Sequence, residues 1–499
     1  MFADAATEDF FRARLDHMID LRHPLVVLTS RMPWQQIEAS VAHLFSRKAR
    51  TSGQPMPDLD LFGEAPTPVA RQSNAGRPRV PLRTMIALLY LKHAFNLSDE
   101  ALVERWSETP RWQYFSGQAY YEERLPCDAT TLVKFRRLLG EEGVEELLAQ
   151  TIKLAVDLQL IPTQALASVV VDTTVQEKAV AHPTDSKLLE TARDKLVQAA
   201  KEAGIALKQT FAKEGRQLRF KAGRYAHAKQ FKRLGRVIKR QSTVVQRLAR
   251  EIERKAIAAA GAISPSLSQT LGKARRIALQ SRSRKNTSGT PKLYSWHAPE
   301  VECIAKGKSK TPYEFGVKVG IAMTLQHNLI VGARTFTGKP YDGHTLREQL
   351  EQASILMQDT GMKPTTAYAD LGYRGVDADN PGVSIKHRGK AKSLTAQERQ
   401  LLKRRQAIEP IIGHLKADHR LDRCHLKAEL GDSLHAVLCA AGYNLRWLLR
   451  MMAKKGVAFL WGLFLRLCQA AQLQQNGPQM LRVALVGAPR RPLSGAVSA

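Results

Sequence analysis

Residues 167–171, Ala-Ser-Val-Val-Val, form a β-branched run that ends on a carboxylate, Asp172, and no further segment of strand character follows until about residue 315. Such a run reads as a buried strand. A sheet that begins here therefore has its first strand separated in sequence from the others by a long insertion. Later in the chain, Phe315–Leu325 and Leu329–Phe336 flank the polar turn Gln326-His327-Asn328 and read as a hairpin. Helical spacing follows from His344 to Met357. A second apolar run, Thr365-Thr366-Ala367-Tyr368-Ala369, ends on Asp370. A further strand is expected over Gly382–Lys386. A helix from about Thr395 carries Glu409, and Ser433–Met452 is one more apolar helix.

The stretch between the first strand and the hairpin, about 176–312, is helical in pattern and basic. Phe211 to Arg250 contains 13 Lys and Arg against one acidic residue, Glu214. Two apolar stripes, Ala192-Leu196-Ala199 and Val237-Val244-Leu248, predict helices that need a partner surface. Over the whole chain, 76 Lys and Arg face 46 Asp and Glu, a net charge of +30. That imbalance implies a polyanionic partner, with lysine and arginine neutralising phosphates. A membrane-surface role would need an amphipathic or lipidated anchor, and the sequence offers neither. The apolar stretch Gly456–Cys468 is interrupted by Arg466 and too short to span a bilayer. Five scattered cysteines without a CxxC pair predict free thiols in a reducing compartment. The N-terminus lacks a signal-peptide pattern. A cytoplasmic, nucleoid-associated protein is expected.

Ahead of the first strand, a segment and Pro/Gly/Ser-rich linker occupy 1–75. A helical domain is expected over 76–160, with a role in DNA binding or dimerisation. Ser98 and Asp128 are its expected N-caps, and Gly140 ends the helix that begins at Thr130. A catalytic α/β domain would fill 161–452, with a C-terminal helix and flexible tail over 453–499.

Two strand-associated aspartates and a helical glutamate can meet from distant parts of a chain. Hard oxygen ligands on rigid elements suit two divalent metals, and two metals suit displacement at a phosphodiester. With the 176–312 insertion removed, the element order is that of an RNase H-like fold. In that fold the first and fourth strands are neighbours, so Asp172 and Asp370 would adjoin. The fold class expected is α/β, an RNase H-like mixed sheet flanked by helices, with an N-terminal all-helical domain and a large helical basic insertion.

On these residues the chain resembles the DDE transposases of bacterial insertion sequences. Their second aspartate lies in a motif like Tyr368-Ala369-Asp370-Leu371-Gly372-Tyr373-Arg374-Gly375. Their glutamate lies in a Tyr-x2-Arg-x3-Glu-x6-Lys signature, matched here by Arg405, Glu409 and Lys416, with Leu402 at the tyrosine position. The resemblance implies metal-dependent DNA cleavage at element ends and strand transfer into target DNA. Asp172, Asp370 and Glu409 would be both catalytic residues and ligands of two Mg2+ ions, with Mn2+ able to substitute. Arg405 and Lys416 would contact DNA. The partners implied are double-stranded DNA, as terminal inverted repeats and target, and further copies of the chain in a homodimer or higher oligomer. An RNase H-like nuclease without strand transfer, or a non-catalytic DNA-binding derivative, are the alternatives. Cys424, His425, His435 and Cys439 lack a recognised zinc spacing, and a zinc site is not expected.

Overall fold

The computed structural model describes residues 13–45, 79–260, 262–282, 291–305 and 312–455. The linker expected within 51–78 and the segment beyond 455 lie outside them. The N-terminal helices are α1 (Leu15–Met18), α2 (Pro24–Arg31), α3 (Trp34–Ala42), α4 (Leu82–Ala94), α5 (Asp99–Glu108), α6 (Pro110–Phe115) and α7 (Ala129–Asp157). Ser98 caps α5 by accepting the Ala101 N–H, and Asp128 caps α7 by accepting the Thr130 N–H. Gly140 adopts φ 64° inside α7 and divides it into two helical pieces, at the glycine where the sequence predicts a stop. Helix α4 is buried on nearly every face, from Leu82 to Ala94. It is therefore a core helix rather than a surface one.

The strands are β1 (Ser168–Lys178), β2 (Glu302–Ala305), β3 (Tyr313–Thr324), β4 (Ile330–Phe336), β5 (Thr366–Tyr368), β6 (Ser384–Lys386) and β7 (Arg423–Cys424). They form one mixed sheet in the order β2-β3-β1-β5-β6, with β4 paired to β3 and β7 to β1. β1 runs antiparallel to β3 and parallel to β5, and β5 is parallel to β6. Val169 pairs with Ala367, so the strands leading to Asp172 and Asp370 are neighbours. One expectation is corrected. Asp172 does not end its strand but sits in the middle of β1, which continues to Lys178.

Helices α8 (Asp185–Glu202), α9 (Ala212–His227), α10 (Phe231–Ala260) and α11 (Pro265–Gln280) follow β1. They have an apolar core of their own, built on Leu189, Leu196, Val244, Leu248, Leu271 and Ile277. Both predicted stripes supply it, except that Val237 is buried outside this core. The sheet also claims both ends of the expected insertion, because β1 runs past 176 and β2 lies before 312.

After the hairpin come α12 (Asp342–Leu356), α13 (Ala396–Lys403) and α14 (Ile408–His419), then α15 through residues 428–455. The single helix expected from Thr395 through Glu409 is instead two. A 3-10 turn, Arg404–Ala407, separates α13 from α14. Pro410 causes no kink. It lies in the first turn of α14, where its missing N–H would be unpaired anyway.

The N-terminal helices share one continuous core with the sheet, α12 and α15. Asn444 ties three parts together, donating to the Ile330 carbonyl at 2.8 Å and to Thr151 at 3.0 Å while accepting the Ile330 N–H at 3.0 Å. α15 also runs close to α4, so that a Cβ on Gly442 would lie 2.5 Å from the His93 carbonyl carbon. Gly442→Ala is expected to destabilise the fold by about 1–3 kcal/mol, because rigid backbone must move. Urea unfolding would read this as a lower midpoint at unchanged slope. A wild-type midpoint would mean that the helices separate at no cost. No helix among the described residues is long and apolar enough to cross a membrane.

Candidate active site

Three carboxylates reach one place from three elements. Asp172 projects from the centre of β1, and its Oδ1 accepts its neighbour's N–H, Thr173, at 2.8 Å. Asp370 lies two residues past the end of β5 and caps the 3-10 turn Leu371–Tyr373, accepting the Leu371 N–H at 2.7 Å. Glu409 is the second residue of α14, where a carboxylate also favours the positive end of the helix. The guanidinium of Arg405 lies among them. Its Nη1 is 3.7 Å from Asp172 Oδ2, and its Nη2 is 4.0 Å from Asp370 Oδ1 and 3.9 Å from Glu409 Oε1. The side chain of Asp172 is 24% exposed, against 56% for Asp370 and 68% for Glu409. The cluster thus has a buried floor and a solvent-facing rim.

Burial pushes the Asp172 carboxyl above its ordinary value, and the nearby Asp370 and Asp342 add to the rise. The Thr173 N–H and Arg405 oppose it. The floor of the site therefore resists holding negative charge without a cation beside it.

Asp342 was not among the residues singled out from sequence. It opens α12, accepting the Thr173 hydroxyl at 2.8 Å and Lys318 Nζ at 2.8 Å. Lys318 also donates to the Pro340 carbonyl at 2.6 Å. The residue after Asp172 is thereby fastened to a fourth carboxylate. The signal was an aspartate just ahead of an apolar helical pattern, but a helix start placed at His344 left it outside. Tyr373, from the Asp370 motif, is buried beside these groups. Burial raises its phenol well above the usual value, with Asp172 and Asp342 adding to it.

The remaining expected residues fall into different environments. Arg405 is 8% exposed and faces the carboxylates. Lys416 lies two turns beyond Glu409 on α14 and is half-buried. Because Arg405 belongs to the 3-10 turn, it and Glu409 do not share one continuous helix. Leu402, at the signature's tyrosine position, packs into the apolar core at 9% exposure. His414 pairs with Asp418 at 2.8 Å.

His93 joins His435 and Cys439 to put three buried ligand atoms within 4.8 Å of one another. Cys424 points elsewhere, towards the carbonyls of Leu426 and Gly431. His93 Nδ1 lies 3.5 Å from Cys439 Sγ, and His435 Nε2 lies 2.8 Å from the Arg420 carbonyl. Burial holds His435 down at about 3, with Lys92, Arg420 and Arg136 adding to it. One ring nitrogen each of His93 and His435 and the Cys439 thiol have hydrogen-bond partners, and the surrounding Lys92, Arg136 and Arg420 charges oppose a further cation.

The donor set at Asp172, Asp370 and Glu409 is chemically different. Its carboxylates are hard donors that already converge on a positive charge, and two of them have solvent-facing oxygens. That fits Mg2+ or Mn2+, which keep positions for water and phosphate.

Comparison with known proteins gives two family matches. Residues 58–138 match a family described as "Transposase domain (DUF772)". Residues 286–445 match the "Transposase DDE domain". The second match covers β3, the hairpin and the segments bearing Asp370, Arg405, Glu409 and Lys416. The chain is 39% identical over 223 residues to the "Uncharacterized protein ORF8 in nfe locus" of Rhizobium meliloti, covering 45% of this chain and 95% of that protein. No solved structure matches.

Proposed function

The chain belongs to the DDE transposases of insertion sequences, and from that premise we propose that it cleaves DNA at insertion-sequence ends and joins the freed end to target DNA. The observation that carries this reading is the convergence of Asp172, Asp370 and Glu409 on one guanidinium. The strand order supports an RNase H-like core around them.

In this reading, the three carboxylates hold two Mg2+ ions, with Mn2+ able to substitute. Bound divalent ions neutralise charge at the phosphate and lower the pKa of the attacking water or 3′-hydroxyl. Asp172 reaches the site from the rigid centre of the sheet, and its geometry is fixed by Thr173 and Asp342. The exposed side chains of Asp370 and Glu409 form the edge that meets DNA. Lys416 and Arg405 offer positive charge for flanking phosphates. The basic helices α9 and α10 add further positive charge, which gives sequence-independent affinity. The N-terminal helices serve end recognition, and the active form is a homodimer or higher oligomer assembled on DNA.

The test uses a supercoiled plasmid carrying the element's ends. Nicking at the ends is expected with Mg2+ or Mn2+, loss with EDTA, and recovery when the metal is restored. End-specific nicking that persists through chelation would remove metal ions from the mechanism.

A further inference from the structure

The proposed reaction does not by itself explain where Arg405 lies. An arginine that served only to touch DNA phosphate would stand in solvent. Arg405 is instead 8% exposed, with its guanidinium 3.7–4.0 Å from an oxygen of each of the three carboxylates. These separations are longer than hydrogen bonds, so charge rather than directed bonding holds the group there. The turn that carries it is anchored from outside the site, where Arg404 donates to the Gln326 carbonyl at 3.0 Å. Among the described residues, the nearby Lys318 is committed to Asp342 and the Pro340 carbonyl. Arg405 is therefore the group that offsets repulsion among Asp172, Asp370 and Glu409.

Resting on the reading of these residues as a divalent-metal site, we propose that Arg405 is a positioning residue, the internal counter-ion of the carboxylates in the metal-free protein. It competes with divalent cations for the same oxygens. Two divalent cations bring more positive charge than three carboxylates offset, and the guanidinium is then repelled. Released from the cluster, it becomes available to a DNA phosphate. One side chain would thus keep the carboxylates together before loading and carry a DNA contact afterwards.

The test is Mn2+ binding to the full chain without DNA, followed by electron paramagnetic resonance. Wild type is compared with Arg405→Gln, Arg405→Met, Arg405→Lys and Asp172→Asn. The uncharged variants are expected to bind Mn2+ on the order of tenfold more tightly than wild type, a modest effect because the rim is solvated. Arg405→Lys should stay near wild type. The uncharged variants should also melt lower without metal and gain more from Mn2+. Gln and Met are two independent uncharged replacements, so failure of one to fold leaves the other. Unchanged or weaker Mn2+ affinity in an uncharged variant that folds would overturn the counter-ion role. If wild type shows no Mn2+ binding sensitive to Asp172→Asn, the metal-site reading falls first and this inference falls with it.

Discussion

Asp172→Asn is expected to abolish DNA cleavage, lowering its rate on the order of a thousandfold or more. Metal-assisted stabilisation of a phosphoryl transition state is worth several kcal/mol, and each 1.36 kcal/mol is about tenfold in rate. Asparagine keeps the shape of aspartate and an oxygen to accept the Thr173 N–H, but it removes the charge. The fold should tolerate the change. Burial already pushes the Asp172 carboxyl towards its neutral form, so the uncharged replacement loses little native stability. DNA affinity should persist as well, because it is spread over many lysines and arginines. Asp370→Asn and Glu409→Gln should each fall by a similar factor, and combining them should add little, because residues acting as one unit are not additive. Gel analysis of end-specific nicking, alongside circular dichroism of each variant, reads the result. Near-normal nicking by any one folded variant would remove that residue from the site.

The second large effect concerns stability. Asp99→Ala is expected to cost about 3–5 kcal/mol, because it leaves buried cations without their counter-charge. Asp99 receives Lys92 at 2.7 Å and both terminal nitrogens of Arg136, at 2.8 and 2.5 Å. The Arg136 side chain is 2% exposed. Burial pushes the Asp99 carboxyl up, but the Arg136 hydrogen bonds and the Lys92 charge outweigh it and hold the pKa at about 2. Its unfolded value is near 3.8. A carboxyl with a depressed folded pKa stabilises the fold fully above the unfolded value. That contribution is lost as pH falls through the folded one. Wild type should therefore lose stability between about pH 4 and pH 2 in a way the variant does not share. Lys92 behaves oppositely. Despite its partner, burial brings it down to about 8, so its own charge disfavours folding at neutral pH and that cost fades as pH rises through this value. Urea unfolding of both proteins at pH 7 and pH 3 checks the Asp99 effects, and wild type at pH 7 and about pH 9 checks that of Lys92. An Asp99→Ala loss below about 1 kcal/mol would mean that Arg136 finds another partner.

Much of this arrangement could be read from sequence where one local signal decided it. The caps at Ser98 and Asp128 and the break at Gly140 follow from backbone hydrogen bonding and glycine's access to positive φ. The hairpin follows from two apolar runs and a polar turn. The apolar stripes in the basic stretch lie in a real core. Other features were set by contacts that no window of residues contains. Strand β1 continues past Asp172 through Thr173-Thr174-Val175-Gln176-Glu177-Lys178 because β3 pairs with it as far as Glu177, although its polar end looks like a loop. The short β2 exists only by pairing to β3. Pro410, in the first turn of α14, is the one local sign of the break between α13 and α14, and periodicity alone continues one helix across it. Asp342 joins the site through Thr173, a residue far away in sequence. Arg405 fits the signature spacing, but its burial among carboxylates depends on where the sheet places Asp172 and Asp370.

The central claim is that Asp172, Asp370 and Glu409 form one site that both cuts and joins DNA. The most direct measurement incubates a labelled element-end oligonucleotide bearing a free 3′-hydroxyl with plasmid, Mg2+ and wild-type or variant protein, then resolves joined product on a denaturing gel. The predicted result is plasmid-linked label with wild type and none with Asp172→Asn, Asp370→Asn or Glu409→Gln. Joining that survives in any of these variants, or wild-type protein that nicks the ends but links no label to plasmid, would contradict it.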